Sequence, residues 1–194
     1  MPIRRAFRML LAVIFVSGLG CLSADAAVLI HLTFEEMTEQ SSAIVLGRCV
    51  AVRSEWNADH SNIVTHNVFE VRQYYKGSLG ALVTITEFGG QVGNMVAEYS
   101  GIPQFQVGEE AVLFVWTDPR GQHQVIGLTQ GKFRVGRDSS TGGVVLQQAF
   151  SGEPMLEPAA HSHARAAGQM AMPLATLRSR VESYLRNRAG ATRQ

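Results

Sequence analysis

Residues Ala111 to Trp116 read AVLFVW, six apolar side chains with no polar residue among them. Successive side chains of a strand point to opposite faces, so such a run must be covered on both. It is therefore a central strand between two layers or the wall of a barrel. The rest of the chain supplies β partners. Ala43 to Arg53 (AIVLGRCVAVR) and Ile63 to Tyr75 (IVTHNVFEVRQYY) are long runs rich in β-branched and apolar residues. The polar SEWNADHSN between them predicts a hairpin, and KGSLG predicts a turn after it. Leu82 to Phe88 is a third strand, with short β stretches expected beyond the glycines that follow. Gln124 to Leu128, a turn and strand in TQGKFRVGR, and VVLQQ at 144–148 continue the pattern. Strands spaced by about 8–12 residues with glycine turns predict a barrel or sandwich.

Two helices frame this β region. TFEEMTEQSS (Thr33 to Ser42) has Thr33 as N-cap and Glu36 three residues later, which completes a capping box. Pro173 to Ala189 places Pro173 in a first helical turn and Leu174, Leu177, Val181 and Leu185 along one face. Arg178, Arg180, Arg186 and Arg188 occupy the other faces. The expected role is an amphipathic helix docked on its own barrel, with a partner or a membrane surface as the alternative. Between them, residues 151–172 (SGEPMLEPAAHSHARAAGQMAM) carry many alanines, two prolines and no period, and read as a linker.

The first 26 residues are of another kind. Arg4, Arg5 and Arg8 precede the apolar Met9 to Leu19, and Ala24-Asp25-Ala26 is an A-x-A cleavage site. The apolar run is too short to span a bilayer, which takes about 20 residues. The pattern predicts a signal peptide cleaved near Ala26, a periplasmic or secreted location, and no transmembrane segment in the mature chain. The division is thus 1–26 signal peptide, 27–150 barrel with the N-terminal helix, 151–172 linker, and 173–194 C-terminal helix and tail. Cleavage removes Cys21 and leaves Cys49 alone, so no internal disulfide can form. Cys49 lies in a strand run and is expected to be a buried thiol. The 17 basic against 16 acidic side chains give no surplus for holding nucleic acid.

Chemistry-bearing patterns are few. Glu87 to Asn94, EFGGQVGN, follows the third strand. It lacks the lysine and hydroxyl of a phosphate-binding loop, and the residues after it are not a helix. Gly89, Gly90 and Gly93 are expected to bend the strand at a barrel corner and to present Gln91 and Asn94 at the rim. The hairpin tip with Trp56, Asn57, Asp59 and His60 forms a second candidate rim. GLTQGKF (Gly127 to Phe133) also lacks a hydroxyl after Lys132 and reads as structural. Glu109 and Glu110 are adjacent, so on a strand they face opposite ways and cannot share a substrate. His161 and His163 stand close in HSH without a third ligand nearby, and no metal or cofactor is expected. Neither G-x-S-x-G nor H-E-x-x-H occurs.

The pieces AIVLGRCVAVRSEW, KG, FGGQVGN, GIPQFQVGEEAVLFVW and GLTQGKFRV, in this order, resemble a family of uncharacterised secreted bacterial β-barrel proteins. The resemblance covers about Glu35 to Val135 and implies an exported β-rich domain with no assigned activity. A short helix entering AIVLGRCVAV and then a long hairpin is distantly similar to the TIMP/netrin-like group of OB-type five-stranded barrels. The inhibitors of that group chelate a protease zinc through an N-terminal cysteine; here the expected mature end is Ala27-Val28-Leu29. The resulting expectation is a mainly β protein, a small antiparallel OB/TIMP-like barrel with a short N-terminal and an amphipathic C-terminal helix. Its expected role is a non-enzymatic binding module whose partner is an extracytoplasmic protein such as a protease. A metalloprotease-inhibitor-like domain and a hydrolase of unknown substrate are the alternatives.

Overall fold

The computed structural model describes residues 29–139, 142–149, 155–156 and 170–191. The expected signal peptide, His161 and His163 and the last three residues lie outside the described residues. The AVLFVW run is the centre of β7 (Glu110–Thr117), and both faces are buried from Ala111 to Val115, whereas Trp116 at its end is exposed, contrary to expectation. Before it come β1 (Leu29–Ile30), α1 (Phe34–Gln40), β2 (Ala43–Trp56), β3 (Ile63–Lys76), β4 (Leu82–Phe88), β5 (Gly90–Val92) and β6 (Met95–Ala97). After it come β8 (His123–Val125), a 3-10 turn (Leu128–Gly131), β9 (Lys132–Arg137), β10 (Val144–Gln148), β11 (Met155–Leu156), β12 (Ala171–Pro173) and α2 (Leu174–Ala191).

Five strands close into a barrel in the order β2-β3-β4-β8-β7, with β7 returning to β2. Register shifts at three places along β2 and β3 let these long strands curl, as a small barrel requires. The antiparallel expectation needs one correction. The seam between β4 and β8 is parallel and consists of a single bridge, Ile85 opposite His123. One edge of β7 is divided, Val115 to Thr117 pairing with β8 and Ala111 to Leu113 with β9. The sheet therefore runs on beyond the barrel through β9, β10 and β12.

Strand alternation sorts β7 into two cores. Ala111, Leu113 and Val115 fill the barrel with Val45, Cys49, Phe69 and Ile85. Val112 and Phe114 point outward and pack with Phe34 and Met37 of α1, Phe133, Leu146, and Leu177 and Val181 of α2. Cys49 is a buried free thiol, its pKa raised chiefly by burial.

Thr33 caps α1, its hydroxyl accepting from Glu36 N while Glu36 accepts from Thr33 N, the reciprocal pair read from the sequence. The C-terminal helix docks on its own domain. Arg180 lies 4.1 Å above the Phe34 ring and 2.6 Å from Glu35, while Tyr184 donates to Glu39 at 2.8 Å. Pro173 does not open this helix, contrary to expectation; it ends β12, which pairs with β10. Two stretches of the expected linker are likewise strands, β11 beside β1 and β12 beside β10. The expected strand Gln124 to Leu128 is shorter, because Gly127 turns left-handed into the 3-10 turn.

Lys132 is the most deeply buried cation among the described residues, 1% exposed. Its ammonium lies 2.7 Å from Glu109, donates to Gln104 O, and sits 4.2 Å from the Phe105 ring centre. Burial lowers its pKa, and Glu109 opposes that shift. Glu110 faces the other way, to Arg72 at 2.7 Å. Removing Glu109 strands a buried charge, which costs more than replacing the cation by an apolar chain. Glu109→Ala is therefore expected to lose about 3–5 kcal/mol in urea unfolding, and Lys132→Met distinctly less. Equal losses for both variants would show that the pair is not the determinant.

Candidate functional site

At the end of β4 the chain leaves the barrel wall. Gly89 (φ 97°) and Gly90 (φ 123°) swing it into the β5–β6 hairpin, backbone geometry that L side chains rarely adopt. A Cβ on Gly90 would stand 2.3 Å from both Ser54 Oγ and Thr65 Oγ1, so the hairpin presses its backbone onto β2 and β3. Thr65 Oγ1 donates to Gly89 O at 2.6 Å, and Gly89 N donates to Ile63 O at 2.8 Å. Beyond the hairpin, Tyr99 donates to Asn62 at 3.0 Å and ties the segment to the β2–β3 loop. The glycine stretch is thus a corner that also forms a roof over one end of the barrel.

Under that roof lies a pocket of about 260 Å³. Ser54, Thr65, Asn67 and Glu87 supply polar groups from β2, β3 and β4, and Gly90 and Tyr99 belong to the cover. Glu87 is 4% exposed, and its Oε1 accepts from Val125 N at 2.8 Å. β4 and β8 bridge only at Ile85 and His123, so beyond that point the carboxyl stands where a strand carbonyl would. Burial pushes the Glu87 pKa up to about 8, and the bond from Val125 offsets only part of this. The carboxyl is neutral in most molecules at pH 7.

Asn67 is 1% exposed. Its Nδ2 donates to Thr65 O at 3.3 Å and Ile85 O at 3.2 Å, which fixes the amide orientation. Its Oδ1 is buried and has no hydrogen-bond partner. An unpaired buried acceptor costs about 1–3 kcal/mol and calls for an explanation. Around the mouth stand exposed Val52, Phe88, Val96 and Tyr99, with the Phe88 and Tyr99 rings edge to face at 6.1 Å, and Met95 is exposed farther out on the hairpin.

A wider hollow of about 610 Å³ lies on the outer face beside the β2–β3 tip and includes Trp56, Asn57 and Asp59. These groups largely build their own loop. Asn57 Oδ1 accepts from Ser61 N and Asn62 N, and Asp59 Oδ1 from Ser61 N and Oγ. Hydrogen bonds from Ser61 hold the Asp59 carboxyl below its ordinary pKa. His60 adopts φ 56° and stacks on Trp56 at 6.2 Å. In the same hollow His66 lies 2.9 Å from Thr86 Oγ1 and 3.2 Å from Glu55, a hydroxyl–imidazole–carboxylate chain across three strands. Thr86 is 9% exposed, which leaves its oxygen little access for attack on a substrate.

Of the residues singled out in the sequence, Gly89, Gly90 and Gln91 line the roofed pocket. Gly93 (φ 58°) and Asn94 form the two-residue loop at the hairpin's far end and do not line it. Sequence reasoning missed Asn67 and Glu87. The signal was present: Glu87 is in phase with inward Val83 and Ile85, and Asn67 with inward Ile63 and Phe69. A polar residue in an inward phase marks a buried polar group. Among the described residues no three His, Cys, Asp or Glu side chains cluster to hold a metal. No helix among them is long and apolar enough to cross a membrane. The chain matches no protein-family model, no curated protein and no solved structure.

Glu87 makes stability depend on pH. Its pKa is about 8 in the folded chain against an ordinary 4.5, so the native state holds the proton more tightly. Its favourable share is fully present below about 4.5, declines as pH rises through the window, and is lost above about 8. The whole swing is at most about 5 kcal/mol. Glu87→Gln keeps an acceptor for Val125 N and cannot ionise, so its unfolding free energy should fall less between pH 5 and 9. Parallel pH curves for wild type and variant would refute the assignment.

Proposed function

We propose that the chain is an exported, non-enzymatic binding module on an OB-type barrel, which engages an extracytoplasmic protein at the roofed barrel mouth. The export part rests on the arginines, apolar run and A-x-A site of residues 1–26. The OB-type part is supported by the five-strand closure, in which β2, β3 and β4 meander and β7 and β8 cross over to complete the wall. The observation that carries the binding part is the combination at the mouth. A small pocket with unmet polar capacity opens among exposed Phe88, Val96 and Tyr99. Apolar rims around a few convergent polar groups are the usual form of a recognition site.

A double variant, Met95→Asp with Val96→Asp, places two charges on the exposed hairpin and leaves the barrel core untouched. With mature protein as bait and its own secreted fraction as prey, the wild type should retain a specific partner. The double variant should retain it at least tenfold less at an unchanged melting temperature. Equal retention by both, or no specific partner on the wild type, would count against this reading.

A further inference from the structure

We infer that the roofed pocket is a site for an amine, taken up as its ammonium form, either a free alkylamine or the side chain of a lysine presented by a partner. The lysine version rests on the binding-module reading; the amine chemistry does not.

The inference follows from where the protons are. Thr65 Oγ1 gives its proton to Gly89 O, so in the 2.8 Å contact between Ser54 and Thr65 the donor must be Ser54. Both hydroxyls have then given up their protons and offer only lone pairs. Asn67 Oδ1 is a buried acceptor with no partner, and its amide cannot flip without setting oxygen against two carbonyls. Glu87 has one oxygen engaged by Val125 N and a second one remaining. The strand walls therefore offer acceptors from Ser54, Thr65 and Asn67, joined by Glu87 once its proton is displaced, and suit a group that donates several protons and accepts none. An ammonium has three N–H donors and no acceptor.

Charge agrees with this count once Glu87 gives up its proton. Glu87 and Glu98 line the pocket, and among the described lining residues there is no lysine, arginine or histidine. The aromatic rings of Phe88, Tyr99 and Phe105 also line it, and ring faces attract cations. The Lys132 ammonium, 4.2 Å from the Phe105 ring, is paired with Glu109 at 2.7 Å, so this buried pair adds no net positive charge behind that wall. A pocket of about 260 Å³ suits a short alkyl chain rather than a large ligand.

Binding should be coupled to proton release. Below about 8 the Glu87 carboxyl holds a proton that an arriving ammonium must displace. Affinity should rise with pH by up to about tenfold per unit from 6 to 8, then level until the amine itself loses its proton at about 10.4.

The test is calorimetry on the mature chain with n-butylamine, with 1-butanol as the uncharged comparison, and with lysine blocked at both its α-amino and carboxyl groups. Butylamine should bind and butanol should not. Glu87→Gln should weaken butylamine at least tenfold and abolish the pH dependence, at an unchanged fold by circular dichroism. As a second readout, butylamine should shift the Asn67 side-chain amide resonances of the wild type. Binding by blocked lysine assigns the site to a presented side chain; binding by butylamine alone assigns it to a free amine. No butylamine binding, equal binding of butanol, or full affinity in Glu87→Gln would overturn the inference. If that happens while the Met95/Val96 double variant still loses its partner, only the amine chemistry fails and the binding reading stands.

Discussion

Closure of the barrel depends on a side chain. β4 and β8 run parallel and share a single bridge, so the seam lacks the ladder of backbone bonds that joins the other walls. Glu87 completes it by offering a carboxyl oxygen to Val125 N. The position is buried, and burial keeps the carboxyl protonated to about pH 8. A seam held in this way cannot be sealed with an aliphatic residue without leaving the Val125 amide unpaired. The polar group that closes the wall therefore also lines the cavity beside it.

The chain then turns at Gly89 and Gly90 and lays a hairpin over the same end. Thr65 secures that turn and, in doing so, gives its hydroxyl proton to Gly89 O rather than to the cavity. Structure and site are linked through this one hydroxyl. The bond that holds the roof down converts the wall beneath it into an acceptor surface. Asn67 is governed in the same way, its amide protons taken by two strand carbonyls and its oxygen left over.

Much of the architecture was legible. The strand runs, the capping box at Thr33 and Glu36, and the apolar face of the last helix are local patterns, and periodicity reads local patterns well. The double burial of Ala111 to Val115 followed from the run's lack of alternation, and both alternatives applied at once, since β7 is barrel wall and interlayer strand together. What the sequence did not disclose depends on partners distant in the chain. Nothing local marks Lys132 as buried, and Glu109 and Phe105 meet it in the interior from elsewhere in the chain. The parallel seam, the divided edge of β7 and the pairing of β12 with β10 are choices of neighbour, which no local pattern encodes. The site was half legible. Glycines announced the corner, whereas Glu87 and Asn67 were visible only as polar residues in an inward phase.

The central claim is that Glu87 is a buried, neutral carboxylic acid joining barrel closure to the pocket. Its most direct measurement is the side-chain carboxyl carbon shift of Glu87 by NMR across pH 4–10, assigned by comparison with Glu87→Gln. A midpoint at about 8 is expected. A midpoint near the ordinary 4.5 would contradict it, since the carboxylate would then be ionised and hydrated rather than held in the wall.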